Sequence, residues 1–145
     1  MDYLNSFAIS SSGMSLERLR LDVASLNIAN ANVSYGPNVA PLRPLQVLVQ
    51  GVYAPKFSAL FDGQASGLGT VDASVVEVTN AEPRSVVDPT NPNADAKGIV
   101  RYPGVNVANE MVSLIKAVRG YEANMVAFNA AKVMAQKAID MGGGR

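Results

Sequence analysis

Apolar residues recur with a helical period at the two ends of the chain and with a strand period between them. On a wheel of about 100° per residue, residues 3 to 31 sort into two apolar rows on nearly opposite sides. Phe7, Met14, Leu21 and Ile28 recur every seven residues, and Leu16, Leu19, Val23 and Leu26 form the second row. The charged residues Glu17, Arg18, Arg20 and Asp22 fall between them. A helix with one wet side carries one apolar stripe, so this helix is expected to have two neighbours. The second row is the wider, with alternating three- and four-residue spacing, and is assigned to a seam with the C-terminal helix of the same chain. The Leu21 row is then left for other molecules. On that assignment Leu26→Asp loses helix pairing within the chain, whereas Leu21→Asp keeps it. Gly13 and the serines before it weaken the first turns, so the first dozen residues are expected to need a partner to become ordered.

The middle of the chain reads as strands. LQVLVQGVYA (45 to 54) and TVDASVVEVTN (70 to 80) alternate or cluster β-branched residues, and Pro55, Gly63, Gly67 and Gly69 between them are turn material. DPTNPNADAKGIVRYP, residues 88 to 103, is rich in Pro, Asp and Asn and reads as one loop-like segment.

The last helix is the clearest element. Asn106 is a suitable N-cap after Pro103 and Gly104. Met111, Val118, Met125 and Ile139 then occupy one heptad position, broken by Lys132, and Leu114, Tyr121, Phe128 and Ala135 the other. Some 35 residues extend about 50 Å at 1.5 Å per residue, further than a small β region can cover. The first helix is the other long apolar surface. Within the last helix, Gly120 suggests close approach of another backbone beside Tyr121, or else a tolerated exposed glycine. The fold class is therefore α+β, with long terminal helices paired as a coiled coil and a small β-rich domain inserted between them. The segments are residues 1–35, 36–105 and 106–145. In the dilute monomer the termini are expected to fray while residues 45 to 103 stay ordered.

Charge changes this picture little. Lys plus Arg equals Asp plus Glu at 12 each, so no net field draws in nucleic acid or an anionic membrane. With only 17% charged and 48% apolar residues, part of the surface is expected to be covered by something else. There is no cysteine and no histidine, so disulfide, zinc-thiolate and cysteine-nucleophile chemistry are excluded. The start does not read as a signal peptide and no run is long enough to span a bilayer, so any export is expected to need no cleaved leader.

Catalytic motifs are missing. The remaining acids and bases form no recognisable pair, G-x-S-x-G is absent, and GLG at 67 to 69 opens no helix. Asp88, Asn91, Asn93 and Asp95 lack EF-hand spacing and read as Asx-type turns rather than a metal loop. The first helix has no lysine and two arginines, a poor match for lipid headgroups. An enzyme, a cofactor, a small-molecule substrate and a nucleic-acid partner are accordingly not expected.

Two stretches carry a family resemblance. LNIANANV followed by GPN, and GIVRYPGVNVANEMVSLIKAVRGYEANMVAFNAAKVMAQKAIDMG near the other end, resemble the bacterial flagellar rod proteins and within them the FlgC proximal-rod family. The specific residues are Asn27, Ala29 and Asn30, then Tyr102, Pro103, Val105 and Asn106, then Glu110 and Met111, then Tyr121, Glu122, Ala123 and Asn124. The resemblance implies a structural subunit that leaves through the flagellar type III export apparatus without cleavage and stacks helically into the hollow periplasmic rod of the basal body. Implied partners are other copies of itself, proximal and distal rod proteins and a FliE-type adaptor. The alternatives are another rod or hook-type axial subunit, or a secreted binding module using the β domain. The expected packing residues are Met14, Leu19, Leu21, Leu26, Asn27 and Asn30 on the first helix. On the last they are Met111, Leu114, Val118, Tyr121, Asn124, Met125 and Phe128. Asn27, Asn30 and Asn32 would satisfy backbone groups where the first helix ends.

Overall fold

The computed structural model describes residues 3–51 and 71–143. In chain order its elements are α1 (Tyr3–Asn30), β1 (Leu45–Gly51), β2 (Val71–Glu77), β3 (Arg84–Val87), β4 (Ile99–Tyr102) and α2 (Val107–Gly143). This is the α+β order read from the sequence, with the two terminal helices side by side.

Helix α2 starts where local chemistry says it should. Asn106 Oδ1 accepts the Asn109 N–H at 3.2 Å and the Asn106 carbonyl accepts the Glu110 N–H at 3.0 Å, so the residue caps the first turn. Glu110 adds a negative charge at the positive end of the helix. Helix α1 has neither an acidic first turn nor a basic last one and depends on packing instead. It runs unbroken through Ser10–Gly13, where Ser12 Oγ donates back to the Ile9 carbonyl at 2.9 Å.

β1 pairs with β2, and β3 with β4. β1 and β2 fall inside the two stretches read as strands; residues 52–54 and 70 of those stretches lie outside the described residues. The β3–β4 ladder is antiparallel, with Arg84 opposite Tyr102, Val86 opposite Val100 and Val87 opposite Ile99. The loop-like reading of residues 88 to 103 is corrected here, because its last residues form β4. Alternation decides it: Val100 points inward and is wholly buried while Arg101 is exposed. The rest of that segment is a run of Asx turns. Asp88 Oδ1 accepts from the Thr90 N–H at 3.2 Å, Asn91 Oδ1 from Asn93 at 3.0 Å and Asp95 Oδ1 from Lys97 at 2.8 Å. Gly98, at φ 73°, closes the run in the left-handed region.

The chain divides into two compact units, residues 1–19, 49–74 and 117–145 in the first and residues 20–48 and 75–116 in the second. Each takes part of α1 and part of α2. Among the described residues the first buries Ser10, Ala117 and Ala131; the second buries Val23, Ala24, Asn27, Ala31, Tyr35, Val100 and Pro103. No described helix is long and apolar enough to cross a membrane.

Candidate subunit-packing site

In the first unit α1 and α2 lie antiparallel in a register fixed by three contacts. The Phe7 and Phe128 rings meet at 5.0 Å between centroids, tilted by 57°. The Asn124 side chain lies on Gly13, so close that a Cβ there would fall 2.7 Å from its Oδ1. The Glu17 side chain lies on Gly120, where a Cβ would fall 2.9 Å from Glu17 Cδ. In each pair the residue numbers add to about 137. Ala117 and Ala131, both buried, continue the α2 side of the seam at the heptad position of Asn124.

This corrects two sequence expectations. In the first unit the row of α1 that meets α2 is the one holding Phe7 and Met14, not the wider row of Leu16 and Leu19. There Leu16 and Leu19 instead border a shallow cleft with Val71, Asp72 and Ala73 of β2, whereas in the second unit Val23 of the same row, with Ala24, borders a cleft shared by Leu45, Gln46 and Val47 of β1 and by Glu110 and Ser113 of α2. Leu26, expected in the seam, is 49% exposed, whereas Leu21 is half-buried. On α2 the row of Met111, Val118, Met125 and Ile139 is exposed, whereas Leu114, Phe128 and Ala135 and the small residues Gly120 and Asn124 are half-buried and Ala117 and Ala131 buried. The physical reason is size. Two helices approach closely where side chains are short, and bulky residues hold them apart. Gly120 is indeed a place of close approach, but what arrives is the Glu17 side chain rather than a backbone.

The other side of α2 in the first unit is open and carries four apolar residues, interspersed with Asn129 and with Glu122, which is paired to Arg119 at 2.9 Å. Val118, Met125, Val126 and Val133 are 36%, 43%, 66% and 53% exposed and cluster well away from the seam on the helical wheel. Tyr121, at the edge between the two faces, is also exposed.

The second unit builds its joint from polar groups. Asn27, nearly fully buried, donates from Nδ2 to the Leu45 carbonyl at 2.8 Å and accepts the Leu45 N–H on Oδ1 at 2.8 Å. Its amide thus imitates one rung of a β-ladder and fixes the start of β1 on the last turns of α1. Asn32 serves differently from expectation, accepting Arg84 Nη2 at 3.2 Å, while the Arg84 guanidinium lies 5.0 Å from the centre of the Tyr102 ring. Asn30 is exposed at a cleft bordered by Pro103 and Val105, and its backbone carbonyl accepts the Val33 N–H at 3.0 Å. Asn93 Nδ2 donates to Ser34 Oγ at 2.9 Å, tying the Asx-turn loop to the segment after α1. Tyr35, which the sequence reading passed over, is buried there; its N–H donates to the Arg101 carbonyl at 3.2 Å and its hydroxyl has no hydrogen-bond partner among the described residues. Tyr35 sits in no periodic run, so only its neighbours in space reveal it.

Among the described residues no three His, Cys, Asp or Glu side chains come together as metal ligands. What the chain offers is surfaces. Residues 7–34, which span most of α1, match the family profile of the flagella basal body rod protein. Residues 96–141, from the end of the Asx-turn loop through α2, match the C-terminal profile of the flagellar basal body rod FlgEFG proteins. The chain is 41% identical over 142 residues to the flagellar basal-body rod protein FlgC of Salmonella typhimurium strain LT2, covering 98% of this chain and 99% of that one. It is 35% identical over 150 residues to FlgC of Bacillus subtilis strain 168, covering 98% and 99%. Against FlgC of Aquifex aeolicus the identity is 35% over 146 residues, covering 97% of each chain. The paired terminal helices, the helix-end asparagines and the cap at Asn106 are thus the framework of a known kind of subunit, and the chain belongs to the FlgC family of flagellar basal-body rod proteins, structural components of the rod.

Proposed function

We propose that this subunit polymerises helically with copies of itself and with neighbouring rod proteins, and that the outward face of α2 makes the contact. In this reading the assembled rod is the hollow, periplasmic drive shaft of the proximal basal body. The subunit reaches it through the type III export apparatus without cleavage, and a FliE-type adaptor and the distal rod lie next to it. Its work is mechanical, without catalysis or a cofactor. The three segments, residues 1–35, 36–105 and 106–145, then divide into two helices that pack and a β region that spaces them.

The observation that carries this reading is the row of Val118, Met125, Val126 and Val133, left open on a helix whose opposite side is already used. Burying the exposed part of four such side chains is worth roughly 1 kcal/mol each. The sum falls below what two free molecules lose on association. A single contact of this kind does not hold a dilute dimer together, whereas contacts repeated around and along a polymer do. Free subunits are therefore expected to remain monomeric.

Val126→Glu tests the reading. The full chain should melt as the wild type does, because the side chain is exposed in the monomer, and should fail to enter rods, because a carboxylate then faces an apolar contact. Normal rod incorporation by this variant would refute it.

A further inference from the structure

We propose that Asn124 is a positioning residue that sets the axial register of α1 against α2, acting through two glycine slots, Gly13 and Gly120. The contacts form one continuous path. The Asn124 amide fills the space over Gly13, where a Cβ would come within 2.7 Å of Oδ1, 2.8 Å of Nδ2 and 2.9 Å of Cγ. The same amide does not swing freely, because its Nδ2 donates to the Gly120 carbonyl at 3.0 Å. Gly120 in turn receives Glu17, whose Cγ and Cδ would lie 3.0 and 2.9 Å from a Cβ there. Each helix therefore inserts one polar side chain into the other's glycine, and Asn124 touches both glycines.

Apolar packing alone does not choose this register. Phe7 and Met14 repeat every seven residues, and the small residues Ala117 and Ala131 accept several alignments. The slots discriminate. A slip of one turn, about 5.4 Å, moves Asn124 from Gly13 toward Ile9 and Ser10 or toward Leu16 and Glu17. It moves Glu17 from Gly120 toward Lys116 and Ala117 or toward Ala123 and Asn124 itself. All of these positions carry a Cβ where the native contact has none. The register decides which turns of α1 lie at the level of Val118, Met125 and Val126 along α2, so it aligns the open surface of α1 with the face that the proposed assembly uses.

The test turns on a sign. Alanine favours a helix over glycine, so without a slot Gly13→Ala raises the melting temperature of the full chain, read by circular dichroism. With the slot it lowers it, by roughly 5 °C. Adding Asn124→Ala to Gly13→Ala should recover the loss, since the shortened side chain no longer reaches the new methyl. Asn124→Asp, equal in size but unable to donate to the Gly120 carbonyl and close to Glu17, should melt lower than Asn124→Ala. If Gly13→Ala does not fold at all, the double variant should still fold. Gly13→Ala melting at or above the wild type, or a double variant no better than Gly13→Ala, would overturn the proposal. The inference rests on the assembly reading only for its consequence, and the two fail separately. A double variant that melts normally yet stays out of rods supports the slot and counts against that reading.

Discussion

In the first compact unit the elements meet by shape: Phe7 on Phe128, Asn124 over Gly13, Glu17 over Gly120, with buried alanines along α2. In the second they meet by direction: Asn27 on the Leu45 backbone, Asn93 on Ser34, Arg84 on Asn32 and Tyr102. A helix offers a second helix no free backbone groups, so complementary size is the means left to fix their alignment. A strand start does offer free N–H and C=O groups, and a buried amide satisfies both at once. The two regions should therefore respond differently to the same kind of substitution. Polarity changes should harm the second unit most, and size changes the first.

The largest expected effect is at Asn27. Asn27→Leu keeps the branched shape but leaves the half-buried Leu45 N–H and C=O without their amide partner, at a cost of about 2–3 kcal/mol. Chemical denaturation of the full chain measures it, and a loss below 1 kcal/mol would remove the distinction between the two regions. Next come Leu21→Asp and Leu26→Asp. Leu21, of the Phe7 and Met14 row, is half-buried and Leu26 is exposed, so the first should destabilise by about 2 kcal/mol and the second by less than about 0.5 kcal/mol. This inverts the order that the pattern of the sequence suggests, and equal losses would contradict the assignment of the rows.

A smaller effect lies in the Asx-turn loop. The Ile99 and Lys97 N–H groups hold the Asp95 carboxyl below its ordinary value of 3.8, with Arg101 and Lys97 nearby adding to the shift. A carboxylate whose folded pKa is depressed contributes stability that is present above its unfolded pKa and is lost as pH falls through the folded one. The Ile99 and Lys97 amide resonances should therefore move as pH drops below about 4. In Asp95→Asn, which still accepts both bonds, they should stay fixed. The smallest effect is Tyr35→Phe. Removing a buried hydroxyl that lacks a partner among the described residues should leave stability unchanged or raise it by less than about 1 kcal/mol. A clear loss would show that the hydroxyl is bonded after all.

What the sequence disclosed divides along the same line. Local chemistry was legible: the cap at Asn106 acts three and four residues away, and each Asx turn closes within four. Asn27 was legible in kind, as an amide that satisfies backbone, but its partner lies eighteen residues further on. The seam was misread because hydrophobic periodicity weighs bulk. Met111, Val118 and Met125 dominate such a pattern, whereas the contact is made where bulk is missing, at Gly13, Ala117, Gly120 and Ala131. A second heptad of small residues, Ala117, Asn124, Ala131 and Ala138, was present in the sequence and is the signal that would have found it. β4 was hidden because four residues of strand follow directly on Pro- and Asn-rich turns.

The central claim is that one face of α2 is spent within the chain and the opposite face joins other subunits. The most direct measurement places a photo-crosslinking amino acid at Val126, and separately at Ala131, in rods of intact basal bodies. Val126 should yield products of two or more chains, and Ala131 only products within one chain. Intermolecular products from Ala131 with none from Val126 would contradict the account.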